Sequence, residues 1–221
     1  MKKYTRRELA RFNGQDGEPV CVGLEGYVYD LTGSFTWKKG RHQARHTAGK
    51  DLTEPLLFEA PHGKEMVERF PVLGSLEDPL YWLLKTEPEE YSWDNLRKDK
   101  NPAWDGVRGG AALKNLNDMR YGDRAFIYHT GKEKQIVGIA AVESDPYPDP
   151  LQEDQRYLVV TVSPLVKLQR PVSLQELKQL AVDEKASEFW TDWELFKNPR
   201  LSVVPVSQEK WDRILSLSLS F

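Results

Sequence analysis

A break near residue 77 is the feature that most constrains how this chain can fold. The segment 74–79 is rich in glycine, serine, aspartate and proline, which favour a turn or linker, and a strongly apolar run starts at Leu80. Three of the four histidines precede this break, and six of the seven tryptophans follow it. The 221 residues are enough for two domains that each bury a core. The sequence therefore predicts two domains, residues 1–76 and 80–221.

The charge is distributed unevenly over these two parts. Residues 1–76 carry 12 basic and 10 acidic side chains, a net charge of +2, whereas the rest of the chain carries 19 and 24, a net charge of −5. The total of −3 gives no general attraction to nucleic acid or to an anionic membrane. The single cysteine, Cys21, excludes an intramolecular disulfide and cysteine-rich zinc sites. The start of the chain lacks the apolar region of a signal peptide, and no run approaches a membrane span. We expect a cytoplasmic protein without a membrane partner.

The first part is predicted to be a short α+β unit. Thr5 and Glu8 form a capping-box pattern for a helix. A tight turn at Glu25-Gly26 joins two predicted strands, and residues 34–49 lack periodicity and are predicted to be a loop. Asp51 with Glu54 offers a cap for the next helix. The predicted elements are a helix at Arg6–Arg11, strands at Val20–Gly23 and Tyr27–Asp30, a helix in the segment 52–60 and a last helix at Gly63–Arg69.

The second part mixes strands with short helices. The predicted strands are Tyr81–Thr86, Arg124–His129, Gln135–Val142, Arg156–Leu168 and Leu201–Pro205. The predicted helices are Ser92–Lys98, Gly110–Met119, Ser173–Gln179 and Gln208–Leu217, with Ser173 and Ser207 as caps of the last two. Mostly antiparallel strands with peripheral helices indicate a small barrel-like sheet.

Three histidines, His42, His46 and His62, fall within 21 residues of the first part. A solvated loop and a zinc site are two interpretations, but five basic residues and no acidic one lie between Lys38 and Lys50, which disfavours a dication. The third interpretation is haem, which needs imidazoles from opposite sides, apolar walls and cations near its propionates. The wall candidates are Leu31, Phe35, Leu56, Phe58, Met66, Phe70 and Leu73.

Residues 3–76 resemble a cytochrome b5-like haem-binding domain. The resemblance rests on "YTRRELARFNGQDGEPVCVGLEGYVYDLTGSF", followed by "AGKDLT" and "PHG". It implies haem b as cofactor, with His62 as one iron ligand and either His42 or His46 as the other. The family's His-Pro-Gly-Gly is absent, so the resemblance leaves the choice between His42 and His46 open. Ligation by two imidazoles would favour electron transfer or haem sensing over oxygen chemistry.

The aromatic and polar residues of the second part are compatible with base stacking and phosphate contact, although Trp82, Trp193 and Trp211 are expected to be core. Five ordered motifs resemble an EVE domain, a PUA-like fold related to YTH domains and to thymocyte nuclear protein, over residues 80–217. The motifs are Lys85–Pro88, "WDGVR" at 104–108, the GD-x-A-F-x-YH run at 122–129, "YPDP" at 147–150 and "RLSVVPVS" at 200–207.

The EVE resemblance implies recognition of a modified base in DNA or RNA, or of a nucleotide. Trp104 would stack on the base, Arg108 would hold phosphate, and Thr86 or His129 would bond the base edge. The sequence departs from the family at "GGAALKN" and "YHTG", and the charge of −5 favours a single flipped base or a free nucleotide. The implied pocket residues are Lys85, Thr86, Trp104, Val107, Arg108, Tyr128, His129 and Ser202.

The fold class implied by both resemblances is α+β, a cytochrome b5-like domain followed by a PUA-like mixed β-barrel with peripheral helices. No nucleophile–base pair or pair of carboxylates indicates catalysis. The favoured function is a non-enzymatic binding protein that joins a haem module to a modified-base reader. The alternative is an electron-transfer component with a redox partner, in which the EVE domain serves for docking or as a scaffold.

Overall fold

The computed structural model describes residues 1–43, 45–183 and 187–219 of the chain. They divide into two compact units, Met1–Asp78 and Pro79–Phe221. Ala44, which falls in the loop predicted at 34–49, lies outside the described residues. Within the described ranges, no helix is both long and apolar enough to cross a membrane.

The first unit is built on a four-stranded sheet. Strands β1 and β6 pair in parallel at one edge, and β6, β3 and β2 are antiparallel, which gives the order β1-β6-β3-β2. Strands β4 and β5 form a separate small hairpin. The elements are β1 (Lys2–Tyr4), α1 (Arg6–Arg11), β2 (Cys21–Leu24), β3 (Tyr27–Asp30), β4 (Arg41–His42), β5 (His46–Thr47), α2 (Thr53–Glu59), α3 (Glu65–Glu68) and β6 (Val72–Leu76).

Apolar residues cover both faces of this sheet, because side chains alternate along each strand. On one face, Val22 and Leu24 of β2 pack with Trp37 and with side chains of α2 and α3. On the other face, Cys21 and Val28 pack with Leu9 of α1. Burial raises the pKa of the Cys21 thiol to about 12, so this cysteine is held as an unreactive thiol.

The local signals at the start of the first unit are confirmed. Thr5 and Glu8 form both bonds of the capping box of α1. The turn between β2 and β3 places Glu25 and Gly26 at φ values of 47° and 78°, as a tight hairpin turn requires. Helix α2 begins at Thr53, and Asp51 accepts hydrogen bonds from its backbone N–H and hydroxyl, although the residue at the cap position makes none.

Two predictions for the first unit are wrong. Residues 34–49 contain the β4–β5 hairpin, whose two-residue strands are too short to show a period of two. Gly74 and Ser75 were predicted as a turn, but they lie inside β6. A side chain at Gly74 would place its Cβ 2.1 Å from the Lys2 carbonyl oxygen and 2.8 Å from the Tyr4 ring. Glycine is therefore required there by the close approach of β1 and not by a turn.

The second unit is a curled seven-stranded sheet with peripheral helices. The strand order is β11-β12-β10-β9-β7-β13, β8 pairs with β12, and only the β7–β9 pairing in this order is parallel. The elements are β7 (Tyr81–Thr86), α4 (Trp93–Asp99), β8 (Ala103–Trp104), α5 (Gly110–Asp118), β9 (Arg124–His129), β10 (Gln135–Val142), β11 (Tyr147–Pro148), β12 (Leu158–Ser173), α6 (Leu174–Asp183), α7 (Ser187–Thr191), α8 (Glu194–Lys197), β13 (Val203–Val206) and α9 (Gln208–Leu219).

Strands β7, β9 and β10 have the bounds that the sequence predicts, because each is a nearly continuous apolar run. Strand β12 continues past the predicted end at Leu168, through a proline, to Ser173. Trp82, Trp193 and Trp211 are buried as expected. The buried Asp123 of the "GD" motif accepts hydrogen bonds from the backbone of Leu80 and the indole of Trp82, so this motif holds the start of β7.

Candidate functional sites

The first unit contains an apolar cleft of about 250 Å³ on the sheet face that carries Trp37. Four of the predicted wall residues line it, namely Leu31, Leu56, Met66 and Phe70. Three others lie elsewhere: Leu73 packs on the opposite face of the sheet, Phe35 is 93% exposed, and Phe58 is not part of the lining. The sequence missed Val22, Leu24, Trp37, Leu52 and Val67, which also line the cleft.

All three clustered histidines face this cleft. His42 and His46 are cross-strand partners in the β4–β5 hairpin, and His62 lies between α2 and α3. The ring centres of His42 and His62 are 6.3 Å apart with planes at 77°, and those of His42 and His46 are 6.5 Å apart with planes at 21°. Trp37 stacks on His42 at 5.1 Å and fixes the plane of that ring.

Hydrogen bonds orient two of the three imidazoles. The Nδ1–H of His42 donates to the Thr36 carbonyl at 3.3 Å, and the Nδ1–H of His62 donates to the Gly63 carbonyl at 3.3 Å. Since a carbonyl only accepts, these bonds turn Nδ1 of each ring to the backbone and leave Nε2 as the nitrogen that could bind a metal, which is the usual arrangement of a metal-ligating histidine. Burial lowers the pKa of His46, against a smaller opposing effect of Glu59, so this ring is neutral near pH 7.

These residues fit a haem better than a bare metal ion. Three imidazoles meet at one apolar cleft, with ring centres 6.3 Å apart for His42 and His62 and 6.5 Å apart for His42 and His46, and they would supply the nitrogen ligands of a haem iron. Among the described residues, no group of three or more His, Cys, Asp or Glu side chains could hold an ion by itself. Arg45 and Arg69 at the lining supply the cations that carboxylate groups would need.

Two glycines and one buried ion pair position the hairpin. Gly40 has φ 70°, and a Cβ there would lie 1.7 Å from the Asn13 carbonyl oxygen. Gly49 has φ 82°, and a Cβ there would lie 2.9 Å from the Ala10 carbonyl oxygen. Next to them, the Arg6 guanidinium donates to the Asp51 carboxylate at 2.8 Å, with both side chains buried. The "AGKDLT" motif thus anchors the histidine-bearing hairpin to α1 and to the start of α2.

The second unit contains a wider and more polar cavity of about 600 Å³. Its aromatic wall is Trp104, 7% exposed, whose ring meets that of Tyr91 edge to face at 6.2 Å. The Tyr91 hydroxyl donates to Asp99 at 3.0 Å, and burial raises the pKa of Tyr91. Lys85 donates to the carbonyls of Asn198 and Pro199, and burial lowers its pKa to about 8. The wall can therefore stack a planar ring, and Lys85 can donate to it.

Four of the eight predicted pocket residues line this cavity: Lys85, Thr86, Trp104 and Ser202. The structure places the other four elsewhere. Val107 and Tyr128 are buried, and burial raises the pKa of the Tyr128 hydroxyl to about 12. Arg108 is exposed, with its guanidinium 4.4 Å from the centre of the Tyr157 ring.

His129 lies on β9, the strand next to β7, and its ring forms hydrogen bonds within the protein. Its Nε2 accepts the Trp93 backbone N–H at 3.0 Å, and its Nδ1–H donates to Glu133 at 2.7 Å. Both ring nitrogens of His129 are thus engaged in hydrogen bonds, and the bond to Trp93 holds the start of α4. The hydroxyl of Thr86 donates to the Tyr91 carbonyl at 2.8 Å and holds the same segment.

Sequence reasoning missed several residues of the cavity. Tyr91 is absent from the predicted pocket residues, although "YSWDNL" carries its signal, a helix cap directly after an aromatic residue. The exposed carboxylates of Glu87, Glu90, Asp99 and Asp105 also line the cavity, against the basic Lys85 and Arg200. Because acidic side chains outnumber basic ones along the lining, this cavity is poorly suited to contact several phosphates of a strand.

The EVE domain family matches residues 80–217, and the cytochrome b5-like haem/steroid-binding domain family matches residues 5–122. Each match covers more than half of the chain. The chain belongs to both families. Residues 80–122 fall in both matches, and the structure places them in the second unit.

Relatives of the EVE unit include proteins of known structure. Mouse (Mus musculus) thymocyte nuclear protein 1 is 33% identical over an alignment of 164 positions, which covers 62% of this chain and 73% of the mouse protein. Human THYN1 in complex with 5-methylcytosine-containing DNA is 30% identical with a TM-score of 0.58, covering 64% of this chain and 99% of that one. A Rhodopseudomonas palustris protein is 36% identical with a TM-score of 0.56, covering 64% and 96%. The second unit has the PUA-like fold of EVE domains, as the sequence predicted.

Proposed function

We propose that this chain is a non-enzymatic binding protein, in which a cytochrome b5-like haem module (residues 1–76) is joined to an EVE module (residues 80–221) that reads a modified base in DNA or RNA, or a nucleotide. The observation that carries the proposal is the pair of separate cavities, one with oriented imidazoles and one with perpendicular aromatic rings. Their chemistries differ enough that each requires its own ligand.

In the first module, His42 and His62 would hold the haem iron, with the neutral His46 beside them. The support for His42 over His46 is its Nδ1–H bond to Thr36, which matches the bond of His62 to Gly63. Trp37 holds the His42 ring, and Arg45 and Arg69 would pair with the carboxylates of the group. A bound haem b would supply reversible one-electron chemistry.

In the second module, Trp104 and Tyr91 are the proposed stacking wall, and Lys85, Thr86 and Ser202 the polar contacts. The human relative in complex with 5-methylcytosine-containing DNA supports a modified base as ligand. The proposed roles of Arg108 and His129 change with their surroundings. Arg108 is left to contact a phosphate outside the cavity, and His129 positions the segment that carries Tyr91.

Haem binding is tested by titrating the purified full-length chain with haemin and recording absorbance. We expect saturation at one haem per chain and a sharp low-spin spectrum. His42→Ala and His62→Ala should each lose the low-spin character, whereas the matched variant His46→Ala should keep it. An unchanged spectrum in His62→Ala would reject the ligand assignment.

Base reading is tested with a panel of oligonucleotides that differ at one base, cytosine or 5-methylcytosine among others, by fluorescence anisotropy. Loss of stacking in Trp104→Ala should weaken binding of the preferred oligonucleotide by about 1–3 kcal/mol. Trp104→Phe, which keeps an aromatic ring, should restore most of the affinity. Equal affinity for every modified and unmodified oligonucleotide would contradict the proposal.

Electron transfer to a redox partner is the second candidate function, favoured by the half-exposed position of His42 and His46 at the cleft. A measured reduction potential and reduction by a purified reductase would support it. We also propose a cytoplasmic location, for which the free thiol of Cys21 is the support, since an unpaired cysteine suits a reducing compartment. Cell fractionation tests this location.

A further inference from the structure

The hairpin that carries His42 and His46 also carries a group of exposed cations. Lys38, Lys39 and Arg41 are all exposed, and none of them lines the cleft. None of the three forms an ion pair within the described part of the chain. Lys64 of the same unit, in contrast, pairs with Glu25 and Glu68. A group of unpaired cations this dense attracts an anionic ligand.

Four exposed residues that do not line the cleft, Phe35, Lys38, Lys39 and Arg41, form the surface that we name the basic hairpin. Lys38 and Arg41 are bridge partners, and the Arg41 N–H donates to the Lys38 carbonyl at 3.1 Å. In the β4–β5 pairing, Arg41 faces Thr47 and His42 faces His46. Because side chains alternate across a strand, the histidines point into the cleft and Arg41 points away from it. The outer face of the hairpin is therefore free for a second ligand.

An exposed aromatic ring precedes these cations in the same short segment. Phe35 is 93% exposed and lies three residues before Lys38. An exposed ring on the same segment as several cations is the combination that binds single-stranded nucleic acid, in which bases stack on aromatic side chains and cations follow the phosphates. An acidic protein surface would use the cations but would leave the Phe35 ring without a planar partner.

The second unit is the more acidic of the two. Residues 79–221 carry 19 basic and 22 acidic side chains, a net charge of −3, whereas residues 1–78 carry 12 of each. Exposed carboxylates of Glu87, Glu90 and Asp105 line the cavity of the second unit. A protein that recognises one base within a long strand binds that strand more tightly when it also contacts phosphates, whatever the base sequence. The first unit has a surface that could supply them.

We infer that the basic hairpin binds the sugar–phosphate backbone of single-stranded nucleic acid, with Phe35 stacking on a base. This site is distinct from both the haem cleft and the base-reading cavity. This site recognises the charge of the nucleic-acid backbone and one unstacked base, so binding to it does not depend on base modification.

The test uses the full-length chain and an unmodified, fluorescein-labelled oligothymidylate of about 12 nucleotides, with anisotropy measured across a range of salt concentrations. Lys38→Gln, Lys39→Gln and Arg41→Gln together remove three phosphate contacts. The slope of log K against log salt should become shallower by about 2, at roughly 0.7 per contact. Phe35→Ala should weaken binding about 5- to 150-fold, the range for loss of one stacked base.

A matched control replaces three exposed lysines of the second unit, Lys114→Gln, Lys134→Gln and Lys178→Gln. Like Lys39, Lys134 has a positive φ, so the two variants impose similar backbone demands. The control should keep the salt slope of the unaltered chain. Haem uptake should stay unchanged in the hairpin variant, because none of its three positions lines the cleft.

Equal loss of affinity in the two triple variants would overturn the inference, since charge alone would then explain binding. An unchanged salt slope in the hairpin variant would also overturn it, and would point to an acidic protein as the ligand of this face. The ratio of affinities for modified and unmodified oligonucleotides is a separate readout. If Trp104→Ala abolishes the preference for modified oligonucleotides, or if the unaltered chain shows no such preference, the result concerns the proposed base reading alone.

Discussion

Removal of the Asp51 carboxylate should destabilise the first unit more than any exposed substitution. Asp51 accepts from Arg6 at 2.8 Å, with the two side chains only 8% and 7% exposed, and it bonds the N–H and hydroxyl of Thr53. In Asp51→Ala, a buried guanidinium keeps its charge without its partner, which costs about 3–5 kcal/mol. Loss of the bonds at the start of α2 adds about 0.5–2 kcal/mol. The sum is comparable to the whole stability of a unit of this size.

Hydrogen exchange measured by mass spectrometry on peptides from residues 1–78 reports on this unit separately from the tryptophan-rich second unit. Asp51→Ala should raise exchange throughout the peptides that contain β2 and β3. Lys64→Met is the matched control, because the Lys64–Glu25 pair has the same 2.8 Å separation but is about half exposed. That pair should contribute only about 0–1 kcal/mol. A cost below about 1 kcal/mol for Asp51→Ala would refute the assignment of the buried pair as an anchor.

Three further predictions concern the hairpin base, the cavity lysine and the start of α4. Gly40→Ala should lower the melting temperature of the first unit and weaken haem uptake, since its Cβ would overlap the Asn13 carbonyl; an unchanged melting curve would contradict this. Because the folded-state pKa of Lys85 is about 8, the unfolded chain binds more protons between pH 8 and about 10.4, so stability should rise with pH across that window. Lys85→Met should remove this contribution to the rise of the unfolding free energy measured with urea. Identical pH profiles of that free energy in Lys85→Met and in the unaltered chain would refute the prediction. His129→Ala should cost about 1–3 kcal/mol by leaving the buried Trp93 N–H without its acceptor, and a calorimetric loss below that range would speak against this bond.

The sequence predicted the regular elements well where a local signal exists. The capping box at Thr5, the Glu25-Gly26 turn and the apolar runs of β7, β9 and β10 all depend on neighbouring residues. It failed at β6, where Gly74 resembles a turn residue and only the approach of Lys2 in β1, 72 residues earlier in the chain, explains the glycine. The parallel β1–β6 pairing has no local signature at all.

Prediction of the two sites from sequence has the same limit, because contacts between distant residues decide the role of each side chain. The histidine cluster was visible as a spacing, but the preference for His42 comes from the Thr36 carbonyl and the Trp37 ring, which spacing cannot reveal. In the EVE unit, motif positions identified Trp104 and Lys85 as cavity residues. They could not separate these from Tyr128 and His129, because strand β9 is buried on both faces.

The absorbance spectrum of the full-length chain during titration with haemin, compared between the unaltered protein and His42→Ala, tests the central claim most directly. A low-spin spectrum that saturates at one haem per chain and is lost in His42→Ala is the result that this account predicts. A chain that does not saturate with haem, or a His42→Ala variant with the spectrum of the unaltered protein, would contradict it.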